Sequence, residues 1–268
     1  MVESLALPTE PGSAARFAVV HDTDGPKVLL GVLWAVGLLG VSAAGFGVLG
    51  GVVLVPVAAV AGLQVANAWS GVAFSDRWAT ALAGGALALS GAFGVAALGA
   101  AVLAVTLALF AYALVLPLPQ GTNRIRVSEL LMLSSMPAGL AAGSLLALAV
   151  ELPQAFVSLV VLISAYEMGD FLVGSGETER PGNQIAGMVA GLSALGLVAM
   201  SLFLLLPHPF TTANLPGYAV AAAVCAPLGQ MGGSALLPRP SQGAYRSAPA
   251  LRRLDSYLVV APLWLILL

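Results

Sequence analysis

The sequence predicts an all-α protein whose helices cross a membrane about nine times. The first observation is composition: of 268 residues, 59% are hydrophobic and only 8% are charged. Soluble domains carry about a quarter charged residues, so this composition excludes a water-soluble globular domain. In hydrocarbon every backbone polar group needs an internal partner, and long apolar runs rich in Ala, Gly, Leu and Val are therefore typical of membrane helices.

Polar, Gly and Pro breaks divide the chain into nine apolar runs. The predicted helices cover residues 28–45, 48–66, 78–96, 98–117, 129–150, 153–174, 184–206, 217–237 and 255–268. The first two nearly touch, and the last is shorter than the roughly 20 residues of a full span. We expect a polar N-terminal tail at 1–27, one group of helices at 28–150 and a second at 151–268.

The second observation is the distribution of basic residues. The chain has ten, which are Arg16, Lys27, Arg77, Arg124, Arg126, Arg180, Arg239, Arg246, Arg252 and Arg253. If the N-terminus is cytoplasmic, nine helices place all ten in the tail or in inner loops near 67–77, 118–128, 175–183 and 238–254. Lys and Arg favour the cytoplasmic side, and a wrong helix count would scatter them. The tail also lacks the apolar region of a signal peptide, so we expect an uncleaved first helix.

Two acidic residues lie inside the sixth predicted helix. Glu167 and Asp170 are three residues apart and share a helix face. Glu167 lies on the order of 10 Å below the helix end at Gly174, at about 1.5 Å per residue. An ionisable group at that depth is costly unless it faces protein or water, which makes the pair a candidate site. Alternatively, the two side chains reach the interface or bond a neighbouring helix. The single Cys225 excludes an intramolecular disulfide and a CxxC metal motif.

Short polar blocks in the C-terminal half carry a family resemblance. Residues 166–174 read Tyr-Glu-Met-Gly-Asp-Phe-Leu-Val-Gly, and residues 180–191 read Arg-Pro-Gly-Asn-Gln-Ile-Ala-Gly-Met-Val-Ala-Gly. Residues 227–234 read Pro-Leu-Gly-Gln-Met-Gly-Gly-Ser, and residues 251–257 read Leu-Arg-Arg-Leu-Asp-Ser-Tyr. In this order they resemble the signature region of the CDP-diacylglycerol synthases, or phosphatidate cytidylyltransferases. The resemblance covers about residues 160–260, whereas 1–150 resemble the family only in being apolar helices.

The resemblance implies a site at the cytoplasmic side of the last four helices. That family transfers a cytidylyl group from CTP to phosphatidate and releases pyrophosphate. The implied catalytic residues are Glu167, Asp255 and Arg253, with Glu167 and Asp255 as the candidate ligands of Mg²⁺ if the chain is catalytic. The implied substrate-binding residues are Asp170, Asn183, Gln230, Ser234, Arg239, Arg252, Arg253 and Ser256. Without the resemblance, Asp255 is more typical of a helix N-cap.

Several charged residues of the family pattern are replaced in this chain. The Lys and Glu of the second block are Asn183 and Ala186, and the Asp of Pro-Leu-Gly-Asp is Gln230. That block's Glu is Gly233, and the first Asp of Asp-Arg-x-Asp-Ser is Arg252. Carboxylates normally hold Mg²⁺, and a guanidinium at that position repels it. We therefore expect Arg252 to point into the site, within reach of Glu167 or Asp255, unless it lies in the headgroup layer beside Arg253.

These replacements leave three hypotheses open. The first is a non-catalytic relative that retains phospholipid binding or a regulatory role. The second is a divergent but active cytidylyltransferase of phospholipid synthesis, and the third is a small-solute transporter. The expected partners are an acidic phospholipid such as phosphatidate and CTP, in a bacterial-type inner membrane. The sequence leaves open a monomer or a homodimer, and we expect no nucleic-acid partner.

Overall fold

The computed structural model describes residues 27–43, 47–69, 74–116, 123–174, 181–238 and 248–268. All regular secondary structure in these residues is helical, which confirms the prediction of an all-α protein. The helices are α1 (Lys27–Ala43), α2 (Gly47–Ala68), α3 (Phe74–Ser90), α4 (Val95–Val115), α5 (Arg124–Glu151), α6 (Pro153–Gly174), α7 (Pro181–Leu205), α8 (Leu215–Ala235), α9 (Pro249–Arg252) and α10 (Tyr257–Leu267). A 3₁₀ turn at Gly91–Phe93 separates α3 from α4.

Five helices in the described part of the chain are long and apolar enough to cross a membrane. They are Gly50–Ala68, Val95–Val115, Arg124–Glu151, Pro153–Gly174 and Ile185–Leu205. Two shorter apolar helices lie at Gly31–Gly40 and Tyr257–Leu267. These helices indicate a membrane protein.

The third predicted helix ends earlier than its composition suggests. Apolar residues continue to 96, yet α3 ends at Ser90, and Gly94 adopts a φ of 93°. A side chain at Gly91 would collide with the carbonyl oxygen of Gly143 on α5, so the close approach of the turn requires glycine there. Glu151 Oε1 accepts a hydrogen bond of 2.9 Å from the amide of Val95 at the start of α4. Apolar composition alone carries no signal for such a turn.

The helix α5 forms the centre of the bundle. It packs against α2, α3, α4, α6 and α10, and most of its side chains from Ala138 to Ala149 are buried. Small residues allow the backbones to approach closely, which is the usual way in which membrane helices associate. A Cβ on Gly139 would lie only 2.9 Å from the carbonyl oxygen of Gly84 on α3.

By contrast, α4 and α7 expose wide apolar surfaces. On α4 the exposed side chains include Leu103 and Leu107, and on α7 they include Leu197 and Leu204. Contact of such apolar surfaces with water is unfavourable, whereas contact with lipid chains is not. The exposed faces of α4 and α7 therefore mark the periphery of a membrane bundle.

Hydrogen bonds between helices that are distant in sequence define two ends of the bundle. At one end the Trp69 indole donates to the Leu236 carbonyl at 3.0 Å, and Gln64 Oε1 accepts from the Ala250 amide at 3.0 Å. At the opposite end the Tyr218 hydroxyl donates to the Leu267 carbonyl at 2.5 Å. We call the first the basic end, because the arginines whose side chains the structure describes all lie there. They are Arg77, Arg124, Arg126, Arg252 and Arg253.

Candidate functional site

A buried polar cluster lies near the basic end, where α6 and α8 meet the turn at 253–256. We call it the polar cluster, and its members are Tyr166, Glu167, Asp170, Gln230, Ser234, Arg252, Arg253, Asp255 and Ser256. The turn reaches α8 because two glycines leave room for it. A side chain at Gly229 would collide with the Asp255 carbonyl oxygen, and a Cβ on Gly233 would lie 2.7 Å from the Asp255 Cβ.

The guanidinium of Arg252 points into this cluster. Its Nη1 lies 3.2 Å from Asp255 Oδ2 and donates to the Ser234 hydroxyl oxygen at 3.0 Å. The other oxygen, Asp255 Oδ1, accepts from the Ser256 backbone amide at 2.8 Å. Asp255 is only 5% exposed, so its carboxylate is shielded from water and its charge is balanced by the internal cation Arg252. The guanidinium of Arg252 therefore contacts a carboxylate that the resemblance implied as a metal ligand.

A second set of bonds joins α6 to α8. The Tyr166 hydroxyl donates to Gln230 Oε1 at 2.9 Å, and Gln230 Nε2 donates to Asp170 Oδ2 at 3.4 Å. Tyr166, Asp170 and Gln230 are all buried. The side-chain amide of Gln230 thus makes a hydrogen bond through its nitrogen and another through its oxygen, and the oxygen accepts from Tyr166. One of the two acceptor positions of that oxygen is therefore occupied.

Glu167 and Arg253 are less completely satisfied. The Oε1 atom of Glu167 is buried and has no hydrogen-bond partner among the described residues. The Ser256 side chain and the charges of Arg253, Asp255 and Asp170 lie near this carboxyl group. The guanidinium of Arg253 makes no ion pair or side-chain hydrogen bond within the described ranges and lies beside Gly31 of α1. A carboxylate oxygen and a guanidinium therefore lie close together without forming a direct pair.

Two predicted binding residues have side chains outside the part of the chain that the structure describes. Asn183 lies in the first turn of α7, where side chains are not described, and Arg239 lies outside the described residues. Conversely, Tyr166 belongs to the cluster although the sequence did not identify it as a site residue. It lies four residues before Asp170 on the same face of α6, and that spacing was the signal that could have identified it.

The residues present do not fit a magnesium centre. Asp255 is held by Arg252, and Asp170 receives the amide of Gln230. Glu167, the other implied ligand, has an oxygen without a partner, but no group of three or more His, Cys, Asp or Glu side chains in the described segments is arranged to hold a metal ion. Because Mg²⁺ demands oxygen ligands in near-octahedral geometry, a guanidinium and an amide nitrogen at these carboxylates oppose its binding.

No protein-family model, characterised protein or solved structure matches this chain.

Proposed function

We propose that this chain is a multi-pass protein of a bacterial-type inner membrane that binds an acidic phospholipid such as phosphatidate at its basic end and does not turn it over. The proposal includes nine membrane-crossing helices and a cytoplasmic N-terminus. It treats the polar cluster as a derivative of the cytidylyltransferase site, in which lipid binding persists and metal-dependent transfer is lost.

The contact between Arg252 and Asp255 carries the proposal. Phosphoryl transfer depends mainly on positioning and on neutralisation of charge, commonly by metal ions held on carboxylates. Here a permanently charged side chain neutralises Asp255 at 3.2 Å. Arg252 is part of the chain and, unlike a metal ion, cannot enter or leave the site with a substrate. The polar cluster is therefore better suited to a fixed ion pair than to metal-dependent transfer.

Lipid binding is supported by the arginines of the basic end. Arg126 is exposed, and Arg253, a member of the polar cluster, is partly exposed. A guanidinium offers five donors in a fixed fork that matches phosphate oxygens. Each basic residue near an anionic leaflet contributes about 1 kcal/mol of attraction. Arginines collected at one end of an apolar bundle are therefore placed to contact phospholipid headgroups.

The second candidate is a divergent, active cytidylyltransferase. It is favoured by the buried Oε1 of Glu167, which has no partner among the described residues. A carboxylate oxygen of this kind is available to accept a proton or to orient a substrate group, with Arg253 nearby as a cation. On this hypothesis arginines supply the charge neutralisation that metal ions supply elsewhere.

An assay on purified protein in lipid nanodiscs distinguishes the candidates. The protein is supplied with CTP, phosphatidate and Mg²⁺, and both CDP-diacylglycerol formation and retained lipid are measured. We expect selective retention of phosphatidate over phosphatidylcholine and no product. Turnover that chelators abolish would favour the metal-dependent family chemistry, and turnover without added metal would favour the divergent enzyme. Absence of both turnover and selective retention overturns the proposal.

A further inference from the structure

The helix α1 begins at the basic end of the bundle, next to Arg253. A Cβ built on Gly31, in the second turn of α1, would lie 3.6 Å from Nη1 of Arg253. Lys27, the first residue of α1, stands four residues earlier, which is about 6 Å along the helix axis. The chain before residue 27 therefore enters α1 about one helical turn from this guanidinium.

Arg253 has the capacity for a further partner. It is partly exposed and makes no ion pair or side-chain hydrogen bond within the described ranges, although the charge of Glu167 lies nearby. Its neighbour Arg252 differs, because that guanidinium contacts Asp255 and Ser234. A guanidinium carries five donors, so a partly exposed one can be paired by a carboxylate that reaches it from outside the bundle.

The residues that precede α1 supply carboxylates within reach. Residues 1–26 contain one basic residue and four acidic ones, which are Arg16 and Glu3, Glu10, Asp22 and Asp24. They lie outside the described residues, but their spacing limits their reach. At about 3.6 Å of extended chain per residue, Asp24 lies within about 11 Å of Lys27 and Asp22 within about 18 Å. Glu3 and Glu10 would have to close longer loops, which costs more entropy.

We infer that Asp22 and Asp24 pair with Arg253 at the basic end and compete there with anionic headgroups. The chain itself supplies this partner, because a segment of net negative charge directly precedes the helix that lies against an unpaired cation. The pairing goes beyond the proposed function, whereas the competition rests on it. Such a contact lowers the attraction between the basic end and an anionic leaflet until headgroups displace the acidic segment.

The pairing is measured as protection of Arg253 from phenylglyoxal, a reagent that modifies accessible guanidinium groups. The full-length protein in phosphatidylcholine nanodiscs is labelled at low ionic strength, and mass spectrometry follows each arginine. In the variant Asp22→Asn with Asp24→Asn, Arg253 should react about two- to fivefold faster, as expected for the loss of one partly exposed ion pair. Arg126, which is exposed, should react at an unchanged rate in the same molecules. Asn retains the ability to cap a helix, so the change removes charge alone.

The variant Glu3→Gln with Glu10→Gln is the matched control, because it removes the same charge from more distant positions. It should react like the parent, and about 1 M salt should raise the parent's rate at Arg253 to that of the Asn variant, since the Debye length falls to about 3 Å. Equal rates for the parent and the Asn variant would mean that the two aspartates serve only the dipole of α1, which overturns the pairing. An equal increase in the control would overturn it as well, because net charge alone would then explain the effect.

The competition is measured by replacing part of the phosphatidylcholine with phosphatidate. The Asn variant should retain about two- to fivefold more phosphatidate than the parent at low ionic strength. Equal retention by the two proteins would overturn the competition, whereas the labelling of Arg253 decides the pairing separately. If neither protein retains phosphatidate selectively, the proposed function itself fails. Thermal melting identifies a variant that fails to fold, and Asp22→Ser with Asp24→Ser then replaces it.

Discussion

Among single residues, Arg252 shows how one substitution changes what a buried cluster can do. Its guanidinium contacts Asp255 and Ser234, and the side chain is only 16% exposed. Arg253, its neighbour in sequence, makes no comparable contact within the described residues and faces α1. Adjacent arginines therefore have different roles, one as an internal counter-ion and the other as an available cation. The sequence proposed an inward position for Arg252, but the choice of Asp255 over Glu167 depends on the shape of the turn.

The inward position predicts that Arg252→Ala is strongly destabilising. Removing one partner of a buried ion pair leaves an uncompensated charge and costs about 3–5 kcal/mol. Melting of the purified protein in detergent measures the change. Arg126→Ala serves as control, because that side chain is exposed and its loss should cost within about half a kcal/mol. An Arg252→Ala variant that melts with the parent would exclude a role for Arg252 as an internal cation.

The bonds of Gln230 predict a smaller effect for Tyr166→Phe. This change removes the hydroxyl group that donates to Gln230 Oε1 at 2.9 Å and keeps the ring. Loss of one buried hydrogen bond should lower the free energy of unfolding by about 1–3 kcal/mol, because the amide oxygen stays unpaired. The double variant Tyr166→Phe with Gln230→Leu should lose less than the sum of the single changes. Strict additivity would show that the two side chains do not interact.

Between elements, glycine spacing decides which segments touch. Gly229 and Gly233 are one turn apart on α8 and receive the turn at 253–256. A sequence pattern marks such residues as helix-packing positions in general, but it does not identify the partner segment. The family resemblance likewise treated Gly233 as the loss of an acidic residue, whereas the structure shows a close contact with Asp255.

This packing predicts opposite results at two neighbouring glycines of α8. In Gly233→Ala the new methyl group would lie 2.7 Å from the Asp255 Cβ, so the turn must shift. Overpacking of this kind typically costs about 1–3 kcal/mol. In Gly232→Ala the methyl group meets nothing within 4 Å, and the higher helix propensity of Ala should stabilise the helix by up to about 1 kcal/mol. Equal melting temperatures for the two variants would show that the turn does not approach α8 as described.

Across the whole molecule, the sequence predicted most helices well and the connections poorly. The predicted helix at 153–174 matches α6 because Pro153 and Gly174 mark its ends. The helix predicted at 255–268 begins instead at Tyr257, and the short α9 precedes it. Gln64 holds that short helix through the amides of Ala250 and Leu251. A contact between residues so distant in sequence leaves no periodic signal. The polar cluster was partly foreseen because an ionisable residue deep in an apolar helix is conspicuous.

The alternation of helices predicts which segments face the cytoplasm. The turn at 212–214 precedes α8, and the C-terminal end of α8 lies at the basic end, so this turn and the basic end lie at opposite ends of the bundle. Because Lys and Arg favour the inner side, we expect the basic end in the cytoplasm.

Cys225 is first replaced by Ala, and single cysteines are then placed at Thr212 and at Arg126, both of which are exposed. Intact cells are labelled with a thiol reagent that does not cross the membrane, and each variant is labelled again after lysis as a control for reactivity. Thr212→Cys should react in intact cells and Arg126→Cys only after lysis. The reverse result would invert the orientation, and labelling of both positions in intact cells would place them on one side and overturn the nine-helix topology.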